Sequence, residues 1–173
     1  MMKFDHPIQY LPRLWARRAA GTGFLPFVYA AAFAEGMNPT VRVADEPLDA
    51  NRAMIGGLVG ILGEWGVESP INIHEGMIPA RRALANSKLG ATFRLGDRLG
   101  LAKVVALARA CGIQIAPNRE RVPATMLRQA ETTLGEYCLA YSAFPNAGVR
   151  PRGLQLITRV VASTGREILR ITP

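Results

Sequence analysis

The sequence predicts an α+β fold: one domain over residues 1–173, with an N-terminal helical segment (1–40) and an α+β core (41–173). In it, helices pack on a small, mainly antiparallel sheet that ends in a C-terminal β-hairpin. Three observations predict this. Apolar residues make up 49% and charged residues 20% of 173 residues, enough to bury a core and too apolar for a disordered chain. Stretches of helical period are interrupted by short runs of period two. Near the C-terminus, two apolar runs flank Ser163-Thr164-Gly165, a hairpin signal.

Each element has its own signal. Residues 8–20 carry Ile8, Leu11, Leu14 and Trp15 at helical spacing. Residues 24–34 are apolar all round and predict a buried helix. Val41-Arg42-Val43-Ala44 alternates, which predicts a strand. Asp49 is a helix cap, and Met54, Leu58, Ile61, Leu62 and Trp65 share one face of the helix that follows. Ile71-Asn72-Ile73 reads as a strand, and Pro79 opens a helix running to 88. Residues 99–110 form an amphipathic helix stopped by Gly112, and 113–116 alternate as a strand. Pro123 opens a helix to 141, a turn-rich loop covers 145–153, and 154–162 pairs with 166–172.

The charge is uneven. Of 21 basic residues, only Lys3, Lys88 and Lys103 are lysines. Residues 35–75 hold seven acids against two bases, and 81–128 hold ten bases against Asp97 and Glu120. Such polarity suits head-to-tail association or docking on an anionic surface. The expected interaction residues are Arg81, Arg82, Arg94, Arg98, Arg119, Arg121, Arg150 and Arg152. Phosphate-backbone contact with nucleic acid stays open, but base stacking does not fit, since Phe93 is the one aromatic within 81–128.

Arg17-Arg18, the apolar run 19–34 and Ala32-Phe33-Ala34 imitate a signal peptide. The apolar residues inside the basic segment and the break at Pro26 argue for an uncleaved protein without a membrane partner, because a span needs about 20 apolar residues. Cys111 and Cys138 read as free thiols.

Groups for chemistry are few. His74, after a strand and before Glu75-Gly76, offers a His–Glu acid–base pair, with Asp97 as a third member. No metal-ligand spacing occurs, so no metal or other cofactor is expected. Ser69, Ser87, Ser142 and Ser163 lack the G-x-S-x-G setting of a hydrolase nucleophile, and no phosphate-binding loop is present.

The order of elements in 49–112 resembles the zinc D-Ala-D-Ala carboxypeptidase and L-alanyl-D-glutamate endopeptidase family, of the hedgehog/DD-peptidase fold. The helix 51–65, strand 71–73, turn His74-Glu75-Gly76-Met77 and loop 86–101 with Gly96 carry the likeness, and the terminal hairpin extends it. In this register Phe93, Gly100 and Leu169 stand where the family has its zinc ligands, so the resemblance implies a degenerate, metal-free member. It points to a non-enzymatic structural or assembly protein, a phage virion component of capsid, neck or tail. Its partners would be copies of itself or other subunits, in the virion or the bacterial cytoplasm. Two alternatives remain: a cell-wall (peptidoglycan) hydrolase using His74, Glu75 and Asp97, and a DNA-backbone binder whose affinity falls with salt.

Overall fold

The computed structural model describes residues 16–47, 74–121, 130–153 and 157–171. The fold is α+β, as the sequence predicts: the described residues hold five α-helices with small antiparallel sheets. The predicted elements at 49–65 and 71–73, the start of the helix at 123 and most of the helix at 8–20 lie outside the described residues.

The core is built around helix α1 (Leu25–Ala34), which a 3-10 turn (Gly21–Phe24) leads into. Its residues are apolar on every side, and Phe27, Val28, Tyr29, Ala31 and Ala32 are all buried. A helix with no polar face must be surrounded. Helices α3 (Leu89–Leu99) and α4 (Leu101–Ala110) supply most of the cover, and α2 (Ala80–Ala85) adds to it. Inside this packing the Tyr29 hydroxyl is 2.9 Å from Thr92 Oγ1. That pairing lets two polar side chains sit in the core without loss. Burial pushes the Tyr29 phenol up to about 12, against the lowering effect of the Thr92 bond.

Among the described residues the strands form three separate two-stranded antiparallel ladders. Strand β1 (Arg18–Ala19) pairs with β4 (Glu131–Thr132). Strand β2 (Arg42–Asp45) pairs with β3 (Gly76–Pro79), setting Val43 opposite Ile78 and Asp45 opposite Gly76. The C-terminal hairpin joins β5 (Arg159–Val161) to β6 (Glu167–Arg170). Helix α5 (Leu134–Ser142) precedes it.

Several boundaries differ from the sequence reading. Arg18 and Ala19, expected at a helix end, are in a strand, where Glu131 and Thr132 pair with them. The helix opened by Pro79 stops at Ala85, because Ser87 takes a left-handed φ of 51°. Residues 86–101, expected as a loop, hold helix α3. Gly100, with φ 98°, separates it from α4 rather than leaving one helix from residue 99. Residues 113–116 pair with no strand, although Ile113 and Ile115 are buried as their alternation predicts. Helix α5 begins at Leu134, where Thr133 and Glu136 form a reciprocal cap.

Candidate functional site

The polar centre of the molecule lies where β2, β3 and the α2–α3 turn meet. Strand β2 alternates, so Val43 and Asp45 both point inward, and Asp45 is only 3% exposed. A buried carboxylate needs partners. The Glu75 backbone N–H donates to Asp45 Oδ2 at 3.0 Å, and Lys88 Nζ lies 2.9 Å from the same oxygen. Lys88 also reaches Glu75 Oε1 at 3.3 Å, and Arg82 pairs with the other Glu75 oxygen. His74 Nδ1 stands 3.8 Å from Asp45 Oδ1, with its ring 40% exposed.

The charges shift one another as this geometry requires. Burial works to raise Asp45, but the Lys88 hydrogen bond, the Glu75 N–H and the charges of Lys88 and His74 outweigh it. The Asp45 carboxyl is held below the usual carboxylate range. Burial also opposes ionisation of Glu75, and Lys88 and Arg82 overcome it in the same direction. The hydrogen bond to Asp45 raises Lys88 above its ordinary value, so its ammonium is fixed in the charged form. A lysine held in this way donates and orients; it does not accept a proton at neutral pH.

Ser87, beside Lys88, is exposed on the left-handed turn. The two neighbours therefore divide the work: Lys88 faces inward to the carboxylates, and the serine is presented to solvent. Above them Arg94 of α3 donates to three backbone carbonyls, of Ala44, Glu46 and Pro47, at 3.2, 3.0 and 2.7 Å. The arginine so fixes the chain as it leaves β2.

Of the residues singled out in the sequence, His74 and Glu75 meet in this cluster, and Arg82 joins them. Asp97 is exposed on α3, nine residues beyond Lys88, about 13 Å along the helix axis. The arginines expected to form one interaction surface are spread over separate elements. Arg81 and Arg82 are on α2, Arg94 and Arg98 on α3, Arg119 and Arg121 in and after a 3-10 turn, and Arg150 and Arg152 after α5. Arg82 and Arg94 are engaged within the chain. Sequence reasoning missed Asp45, Lys88 and Ser87. The signal was thin: one of only three lysines, next to a serine, between two helical stretches. Among the described residues no group of three His, Cys, Asp or Glu side chains is arranged to hold a metal ion.

Comparison with known proteins corrects the family resemblance. No family model matches the chain. It is similar to penicillin-binding protein 1A of Neisseria lactamica, 30% identical over 152 residues, which cover 87% of this chain and 18% of that protein. Penicillin-binding protein 1A of Pseudomonas aeruginosa is 26% identical over 167 residues, covering 95% of this chain and 19% of the relative. Among solved structures, penicillin-binding protein 1A from Haemophilus influenzae superposes with a TM-score of 0.71 at 22% identity, over 93% of this chain and 23% of its own. Penicillin-binding protein PonA1 from Mycobacterium tuberculosis gives 0.69 at 19% identity, over 91% and 42%. The chain thus spans about a fifth of the length of the relatives it matches.

These findings overturn the zinc-peptidase resemblance, which rested on the order of helix and strand rather than on shared residues. They overturn with it the reading as a non-enzymatic structural protein of a phage virion, together with the virion or cytoplasmic location. The relatives are bacterial penicillin-binding proteins. The cell-wall enzyme alternative stands nearer to them. The fold of this chain is that of a segment of penicillin-binding protein 1A.

Proposed function

We propose that the chain belongs to a peptidoglycan-synthesising, penicillin-binding enzyme of the bacterial envelope, in which it forms the helical wall that carries Ser87. The observation that carries this is the match of 87% of the chain to a continuous part of penicillin-binding protein 1A.

Penicillin-binding enzymes draw on three short patterns: Ser-x-x-Lys for the nucleophile, Ser-Asp-Asn, and Lys-Thr-Gly. These 173 residues contain no Ser-x-x-Lys and no Lys-Thr-Gly. Ser87-Lys88-Leu89 shares the serine of the middle pattern, with lysine in the place of aspartate and leucine in the place of asparagine. In this reading the acylated serine comes from polypeptide outside these residues, and Ser87 supplies a hydroxyl to the opposite side of the cleft. Lys88, neutralised by Asp45 and Glu75, sets the turn rather than taking a proton.

The test is labelling of envelope fractions from the native host with fluorescent penicillin, with the chain present, deleted, and restored with Ser87→Ala. The expected result is a labelled species lost on deletion and labelled about tenfold or more slowly with the alanine, the scale of losing one positioned polar group. An unchanged labelling pattern and rate in the deletion strain would overturn the proposal.

A further inference from the structure

Away from the Ser87 turn, α1, α4 and the end of α5 leave an open groove of about 420 Å³, within the ~300–1,000 Å³ of small-molecule sites. Leu107 and Ala110 of α4 form one wall, Ala143 and Phe144 the other, and Ala30 of α1 the base. Phe144 is 43% exposed, yet its ring is fixed by Phe27 and Tyr141, at 5.3 and 5.4 Å between centroids. The wall is rigid and apolar, and it is not covered.

One charged residue lines this groove. The Arg150 guanidinium lies over Gly112, close enough that any side chain there would collide with it. Its hydrogen bond among the described residues is a long one, 3.5 Å from Nη1 to the Cys111 carbonyl. A guanidinium has five N–H donors, and among the described residues no carboxylate pairs with this one, so donors are left for an incoming anion. Burial pushes the Cys111 thiol up, against the lowering effect of the Arg150 charge beside it. An apolar trough closed by such a cation calls for a ligand with an apolar body and an anionic head.

We infer that this groove binds a single-chain anionic amphiphile, its hydrocarbon laid between α4 and Phe144 and its carboxylate or other acid group on Arg150. Nothing in this inference depends on Ser87 or on penicillin binding. A neutral chain of the same length would lose the head-group contact, and a short anion would lose the trough.

Titration calorimetry of the purified chain with decanoate below its micelle concentration, with decanol and with acetate separates these contributions. Decanoate is expected to bind one to one, decanol about tenfold more weakly, since a charge-assisted contact is lost, and acetate without measurable heat. Arg150→Gln should bring decanoate to the decanol level, and Ala110→Phe, which fills the trough from an exposed helix position, should abolish binding of both. Circular dichroism and backbone amide spectra establish that each variant is folded, and shifts at Leu107 and Phe144 place the ligand. No decanoate heat with the folded native chain, equal affinity for decanol, or indifference to both substitutions would each overturn the inference. So would failure of decanoate beside saturable binding of an acidic amphipathic peptide, which would make the groove a protein-docking site.

Discussion

Lys88 answers to two acids at once, and its removal separates their effects. Lys88→Met leaves Asp45 buried with the Glu75 N–H as its remaining close donor among the contacts described. The expected loss is about 1–3 kcal/mol, the cost of stranding a buried acceptor. Both carboxyls are depressed in the folded chain, so their stabilisation is complete above the ordinary carboxylate pKa near 4 and is lost as pH falls through their lower folded values. The lysine is raised, so its share is present below its unfolded value and lost only as pH rises past its higher folded one. Melting temperature measured from pH 7 down to pH 3 should fall steeply in the native chain and more gently in Lys88→Met; parallel curves would refute the linkage. At this scale the sequence is legible only over short distances. The Thr133–Glu136 cap, with bonds of 3.1 and 3.2 Å, fits S/T-x-x-E, a local pattern that the reading of one helix from Pro123 passed over. The Asp45–Lys88 pair joins residues 43 positions apart and has no local signature. Arg17, which binds Glu136 and the Gln114 and Glu131 carbonyls, was hidden for the same reason.

Between elements, the informative error is the missing helix α3. Ala91, Leu95 and Leu99 recur every fourth residue and are buried, so the period was present. The loop over 86–101 came from the register borrowed from the zinc peptidases, in which Gly96 stands as the family's glycine. By contrast, α1 was readable because a run apolar on all sides can only be interior. The break at Gly100 matters to both helices, because both pack on α1. Its φ of 98° and ψ of 127° suit glycine and penalise any side chain. Gly100→Ala is expected to cost about 1–3 kcal/mol, the price of holding a side chain in such a region, read as a lower denaturant midpoint at unchanged slope. A change in slope instead would mean that the packing of α3 on α1 had reorganised.

Across the whole molecule, composition and periodicity were sufficient for the fold class and insufficient for kinship. The acidic and basic halves of the sequence suggested docking between copies. In the structure part of that polarity is spent internally, acids of 35–75 pairing with cations of 82–103 through Lys103–Glu35, Lys88–Asp45 and Arg82–Glu75. The site was half visible: His74 and Glu75 were found, and the residues that anchor them were not.

Strands β2 and β3 are neighbours in space, but residues 46–75 lie between them in sequence. Where that stretch departs, Arg94 grips backbone carbonyls. Where it returns, a backbone N–H meets Asp45. Main-chain atoms are common to every amino acid, so these grips do not depend on what is inserted. Replacing 48–73 by a link of a few glycine and asparagine residues tests whether these grips suffice to hold the two strands together: the expected result is a melting transition that stays cooperative and moves by a few degrees. A non-cooperative transition would show that the core needs the excised stretch. The scaffold is in this sense a socket with a standard fitting.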